Sequence, residues 1–294
     1  MGRLKTRHKL GRKNRRALSH SDAYIDSYLD ALARQFKQSL SFASFDKVER
    51  ITPRNFFRHY YFANRPIVIR GLMRNWKALG LWTPDYFAKE FGNYTVEVNC
   101  ERNRDPLYDR NFTKHNSKML MKDYVAMIQS GGETNDYYIG ANNHLLRRKP
   151  FRSLLAQIKC PKGFFNQRYF RSDARLFFGP EGTISSLHHD FFNGMLGQVY
   201  GRKRIKLIPP FEIKKLYNHL WFSDVDLEKI DYEKFPHMRG VTILETVLEP
   251  GEHVFIPIGW WHWVKSLDVS ISLFSPRFLV PGKPVLMQPR KYNQ

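Results

Sequence analysis

From Arg175 onward the chain breaks into short runs rich in β-branched and aromatic residues, and nothing else in it restricts the fold as much. The runs are Arg175 to Phe178, Met195 to Tyr200, Arg204 to Ile208, Thr242 to Leu248, His253 to Ile256 and Val269 to Phe274. Between two of them stands Glu249-Pro250-Gly251-Glu252, a proline-glycine pair of the kind that reverses the chain between antiparallel strands. Strands this short hide their apolar faces only by folding onto one another. They predict an all-β core with flanking helices, built as a sandwich or barrel, and the jelly roll suits their number and spacing.

The segment before this core alternates helix and strand signals. Thr52-Pro53, a cap residue followed by proline at the first helical position, leads into Phe56, Phe57, Tyr60 and Tyr61. Ile67-Val68-Ile69 reads as a buried strand that ends at Gly71. Thr83-Pro84 then opens a second helix through Phe87 to Phe91, and Tyr94 to Val98 alternates like a strand. Residues 40 to 130 thus form an N-terminal α/β layer. Further upstream, Ile25, Tyr28, Leu29, Leu32 and Phe36 follow helical spacing behind Ser21 or Asp22 as N-cap. The expected organisation is a basic flexible arm over residues 1–20, a helix over 21–44 that can cover the sheet or join two copies, a folded domain over 45–278, and a tail over 279–294.

Charge and cysteine usage limit the setting. Basic residues outnumber acidic ones by 48 to 27, a net charge of +21. Eight of the basic residues lie in the first sixteen positions with no acid, yet 40 remain against 27 beyond them. Such a field attracts polyanions, so RNA or a ribonucleoprotein is an expected partner; a solubilising surface is the plainer account. No run of eighteen apolar residues offers a membrane span, and the basic N-terminus lacks the apolar stretch of a secretory signal. Cys100 and Cys160 are too few for a disulfide framework or a thiolate metal site. A reducing compartment follows, the cytoplasm or, in a eukaryote, the nucleus.

One constellation carries chemistry. In Leu187-His188-His189-Asp190 a histidine and an aspartate stand two residues apart, a spacing that puts both on one face of a strand and turns His189 to the other. A further histidine from another strand completes a 2-His-1-carboxylate triad, which leaves three cis positions of an octahedral Fe(II) open. His262, in Gly259-Trp260-Trp261-His262-Trp263, is the candidate, with His253 as alternative. The plainer account of His262 is a core histidine packed among tryptophans.

These residues resemble those of the JmjC or cupin-like hydroxylases. Gly179-Pro180-Glu181-Gly182-Thr183 through His188-His189-Asp190 is similar to the strand and turn that bring in the first two iron ligands. Gln198-Val199-Tyr200-Gly201-Arg202-Lys203-Arg204 resembles the strand with the cosubstrate lysine, and Pro250-Gly251-Glu252 through Trp261-His262 the approach to the distal histidine. Asn64-Arg65-Pro66 through Gly71 and Trp82-Thr83-Pro84 resemble the family's N-terminal layer. The likeness spans roughly residues 45 to 278. It implies a double-stranded β-helix binding Fe(II) and 2-oxoglutarate, with O2 as oxidant and His188, Asp190 and His262 as ligands.

The resemblance further assigns the cosubstrate's distal carboxylate to Lys203, with Arg277 as the competing cation, and to the hydroxyls of Ser185 and Tyr138. Tyr137 replaces Tyr138 if the register slips by one residue. Two departures stand out. Relatives often carry asparagine four residues after the aspartate, where this chain has Gly194, so Asn193 is the nearest amide for the cosubstrate. A late tryptophan on the last core strand is replaced by Ser275-Pro276-Arg277, and Pro281, Pro284 and Pro289 break up the tail that some relatives use to dimerise. The expected function is hydroxylation of an amino-acid side chain in a protein, ribosomal or RNA-associated given the charge. Alternatives are hydroxylation of a modified tRNA nucleoside, lysine demethylation, and a cupin-like binding protein without turnover.

Overall fold

A computed structural model of the chain describes residues 24–25, 27–36, 38, 45–140 and 144–281. The chain divides into two compact units, residues 1–43 and 44–294. In the first, residues 24–25 and 27–36 are helical, and Ile25, Tyr28, Leu29 and Leu32 of the expected apolar series are exposed. The arm, the caps at Ser21 and Asp22, and all but the first three residues of the tail lie outside the described residues.

The larger unit starts with β1 (Asp46–Val48), parallel to β2 (Ile67–Arg70). Between them lies α1 (Pro53–Phe56), where Thr52 accepts from the amide of Asn55 at 3.2 Å and Pro53 begins the first turn. The helix passes directly into a π-helical segment, Phe57–Tyr61. Phe56 and Tyr61 there join Phe255 and Phe278 in one aromatic cluster with ring centroids 5.0–6.3 Å apart. After α2 (Ala78–Leu81), α3 (Pro84–Phe91) repeats the same cap, with Thr83 accepting from Tyr86 at 3.1 Å. The hairpin of β3 (Thr95–Asn99) and β4 (Asn116–Leu120) follows, and then α4 (Met121–Ser130) and α5 (Gln167–Asp173).

From β5 (Arg175–Gly179) and β6 (Ile184–His189) the chain winds back and forth between two six-stranded sheets. Its further strands are β7 (Gly194–Tyr200), β8 (Lys203–Ile208), β9 (Asn218–His219), β10 (Phe222–Ser223), β11 (Leu244–Leu248), β12 (Glu252–Ile256), β13 (Trp261–Ser266) and β14 (Ser270–Ser275). One sheet runs β1-β2-β12-β7-β14-β5 and the other β11-β8-β13-β6-β10-β9. This is a double-stranded β-helix, the jelly roll expected of the sequence.

Strands β12 and β14 are buried at every position, because the N-terminal layer covers the outer face of their sheet while the inner face closes the barrel. Residues 209–243, of which only Thr242 and Ile243 belong to an expected strand, supply β9 and β10 to the edge of the other sheet and cover its face. Leu216, Val225, Leu227, Phe235 and Met238 pack there on Leu187, Trp261 and Trp263.

Candidate metal centre and cosubstrate cavity

Antiparallel pairing of β13 with β6 sets His262 directly opposite His188, their ring centroids 4.0 Å apart. Asp190 follows the end of β6, where the amide of Gly259 donates to its carbonyl at 3.1 Å and ties the turn before β13 to the aspartate. The Nε2 of His262 lies 3.9 Å from Oδ2 of Asp190, and one ligand atom from each of the three side chains falls within 4.8 Å of the others. Each histidine turns its Nδ1 to a carbonyl of its own strand, His188 to Ser186 at 2.7 Å and His262 to Trp260 at 3.1 Å. Donation there fixes the tautomer and directs both Nε2 lone pairs at the centre.

Burial and the neighbouring His188 hold His262 well below the usual imidazole range, which keeps that lone pair free. Burial pushes the Asp190 carboxyl up against the opposing pull of His188. Two imidazoles and a carboxylate open to a cavity on one side are a donor set for Fe(II). His189 packs away from it, against Trp261 at 4.6 Å and Phe191 at 5.0 Å. His253 is also elsewhere: it stands edge-on to Trp76 at 5.6 Å, so close to Gly197 that a Cβ there would come within 2.7 Å of its ring. Burial alone takes it down to about 3.

A cavity of about 320 Å³ opens beside the triad, lined among others by Tyr138, Ser185, Lys203, Phe192, Leu196, Phe222 and Phe274. Lys203, the first residue of β8, is 2% exposed and has no acidic partner among the described residues. Its ammonium lies over the rings of Tyr138 at 5.6 Å and Phe177 at 6.0 Å. Burial, with Arg102 adding repulsion, lowers Lys203 to about 7. Tyr138 and Ser185 share a hydrogen bond, and burial raises the Tyr138 phenol beyond its usual range. Tyr137 packs against the core instead, so the register does not slip. A buried cation without an anion beside two hydroxyls suits the far carboxylate of a dicarboxylate that chelates iron through its other end. The residues present therefore fit both Fe(II) and 2-oxoglutarate.

The cavity lining leaves out two residues that the sequence offered for the cosubstrate. Asn193 is outside the cavity lining, where its Oδ1 accepts from the amide of Ile258 at 2.8 Å and fastens two loops. Arg277 is bound to the carboxylate of Asp173 and does not line the cavity. A side chain at the asparagine position of relatives would have to displace Phe274, since a Cβ on Gly194 would meet its ring at 2.2 Å. Phe274 closes that part of the wall.

Arg102 is the residue that sequence reasoning missed. Fully buried, it donates to Asn135 Oδ1 at 2.8 Å, to the Ile184 carbonyl at 2.7 Å and to Asp109 at 3.0 Å, and it lies over Tyr108 and Tyr138 at 4.3 and 5.1 Å. Asp109 in turn accepts from the amide and hydroxyl of Ser186 at 2.8 and 2.7 Å. The pair thus clamps the metal-bearing strand to the segment after β3. No local signal separates Arg102 from the other basic residues. Glu97, Asn99, Asn116 and Arg175 also line the cavity, and Glu97 has no ion pair among the described residues.

Comparison with known proteins places these features. Residues 53–275 match the family model of the cupin-like domain. The chain is 31% identical over 242 residues to "Lysine-specific demethylase JMJ30" of Arabidopsis thaliana, covering 80% of this chain and 55% of that protein. It is 30% identical over 230 residues to "Lysine-specific demethylase 8" of Xenopus tropicalis, covering 74% and 49%. To "tRNA wybutosine-synthesizing protein 5" of Gallus gallus it is 26% identical over 244 residues, covering 77% and 74%. The chain spans about half the length of the two demethylases. Among the described residues no helix is long and apolar enough to cross a membrane. With the double-stranded β-helix, the His-Asp-His triad and a match over most of its length, the chain belongs to the cupin-like, JmjC-type family, whose members use Fe(II), 2-oxoglutarate and O2.

Proposed function

We propose that the chain is an Fe(II)- and 2-oxoglutarate-dependent hydroxylase of an amino-acid side chain in a protein. The carrying observation is one cavity that holds both the triad of His188, Asp190 and His262 and the buried, acid-free Lys203. When bound, Fe(II) and 2-oxoglutarate would let O2 act as the oxidant, one of its oxygen atoms going into succinate as the cosubstrate loses CO2 and the other into the prime substrate. The protein's part is to place the groups and keep water out. His188 and His262 present Nε2 in a fixed tautomer, Lys203 with Tyr138 and Ser185 would hold the far carboxylate, and Phe192, Leu196, Phe222 and Phe274 wall the cavity with apolar surface.

Glu97 supports a basic target side chain, because a carboxylate in the cavity lining with no ion pair among the described residues gives a cation its partner. Lysine demethylation uses the same cavity with an N-methyl group as target, in line with the names of the two demethylases. RNA as substrate is favoured by the charge of +21 and by the name of the chicken relative. The deciding experiment incubates the protein with Fe(II), 2-oxoglutarate and a cell lysate of peptides and tRNA, followed by mass spectrometry. A gain of one oxygen on a peptide supports the proposal. Loss of a methyl group, or oxygen only on a nucleoside, selects one of the others.

A further inference from the structure

We propose that the apolar rim formed by Phe191, Leu220, Trp221 and Ile258 beside the metal centre is the docking surface for an apolar segment of a polypeptide. The proposal rests on the hydroxylase reading and deepens it, from the oxidised residue to the chain that carries it. Phe191, Leu220 and Ile258 are 50, 75 and 42% exposed, large apolar side chains facing solvent on three separate segments. The segments are bound into one surface. The amide of His189 donates to the Trp221 carbonyl at 3.0 Å, Phe191 lies edge-on to Trp221 at 6.2 Å, and the amide of Ile258 donates to Asn193 at 2.8 Å. Phe222, next to Trp221, stacks on His188 at 5.6 Å and lines the cavity, so the rim runs into the site without a break.

Leu220 shows that the surface is more than loop chemistry. It occupies the left-handed region at φ +53, at the tip between β9 and β10, where asparagine, aspartate or glycine sits at lower cost. An exposed leucine in that conformation sacrifices backbone comfort and gains nothing in the core. Its value lies outside the chain.

Charge selects the occupant. Residues 187–201, 216–223 and 254–264, which make up the rim and its supports, contain no lysine or arginine in a chain that has 48. A nucleic-acid surface combines aromatic platforms with cations for the phosphates. Here Arg110, whose guanidinium lies 5.9 Å from the Phe222 ring next to the rim, is held by Asp224 at 2.5 Å, and His219 is held by the same carboxylate at 3.2 Å. The rim thus offers apolar contact and no phosphate partner, which suits an uncharged peptide stretch next to the target residue.

The test reads binding and not turnover. The full-length protein is immobilised and panned against a phage-displayed library of random dodecapeptides, alongside the variants Leu220→Asp, Leu220→Asn and His262→Ala. Enrichment of sequences with clustered aliphatic or aromatic residues, lost in both Leu220 variants and kept in His262→Ala, is the expected result. Because Asp and Asn suit the left-handed turn, both variants should melt no lower than the parent protein. Binding that survives both Leu220 variants overturns the proposal, as does the absence of any apolar enrichment. Loss of bulk tRNA binding in Leu220→Asp overturns it in favour of RNA. A dimer in sedimentation that becomes a monomer in Leu220→Asp overturns it in favour of a second copy of the chain. Peptide capture by a protein that shows no 2-oxoglutarate turnover would instead refute the hydroxylase reading and leave the docking surface standing.

Discussion

Replacing Lys203 by methionine is expected to strengthen the fold and weaken cosubstrate binding at the same time. Lys203 is buried next to a second buried cation, Arg102, with no acidic partner among the described residues. Holding it near 7 instead of the ordinary 10.5 costs the fold roughly 4–5 kcal/mol at neutral pH. Methionine retains the length and removes the cation, so a gain on the order of 1–4 kcal/mol should return, read as a rise in Tm of roughly 3–10 °C. The distal carboxylate of 2-oxoglutarate then loses its partner inside the protein, a penalty of roughly 3–5 kcal/mol, or two to four decades in Kd. Calorimetric titration of 2-oxoglutarate into the Mn(II)-loaded protein, paired with thermal melting, measures both. Affinity within threefold of the parent would show that the carboxylate binds elsewhere. A fall in Tm would show that Lys203 supports the fold as a charged group. Arg277→Ala serves as control and should leave the affinity unchanged, since its guanidinium is occupied by Asp173.

Three further outcomes are expected. His262→Ala should remain folded and lose Mn(II) affinity by more than about a hundredfold, above the loss typical of a residue that only supports a ligand, whereas His189→Ala should change it little; electron paramagnetic resonance of Mn(II) separates them. The pH dependence follows from the lowered ammonium of Lys203, which is neutral in the fold above about 7 and must take up a proton to bind a dianion. Affinity for 2-oxoglutarate should therefore be level just below 7 and fall roughly tenfold per pH unit above it, with proton uptake visible in buffers of different ionisation enthalpy. The stability sign is the converse: the unfolded chain protonates Lys203 first, so this contribution weakens as pH falls from 10.5 to about 7 and is constant below. Finally, Gly194→Asn should cost about 1–3 kcal/mol in urea unfolding through overlap with Phe274, and Phe274→Ala in the same chain should recover much of it; additive losses would contradict the overlap.

Much of the fold was legible because its signals are local. Thr52-Pro53 and Thr83-Pro84 mark helix starts through a hydroxyl that accepts from an amide three residues on, and both caps form as read. The strand runs recur within one or two residues of their expected bounds, and Pro250-Gly251 leads into β12. The two-residue spacing of His188 and Asp190 pointed to one side of the chain by strand periodicity, although Asp190 itself follows the end of β6. The boundary that moved most, Thr242 against the observed Leu244, lies where residues 209–243 fold over a sheet by contacts far apart in the chain.

What the amino-acid order determines by itself are periods and caps, since each involves groups a few residues apart whose geometry the backbone dictates. The partner of a given polar group is a different matter, decided by which segments meet. Asn193 looks free for a cosubstrate until Ile258, sixty-five residues away, takes its amide oxygen. Arg277 looks like a rival cation until Asp173 holds it, and Arg102 looks like any other arginine until Asp109, Asn135 and Ile184 close around it. Tyr138 and not Tyr137 faces the cavity because the segment bonds Asn99 on one side and Phe178 on the other. Sequence spacing contains no information about such distances, and burial then multiplies their consequence: once water is gone, each polar atom is defined by the one neighbour that reaches it.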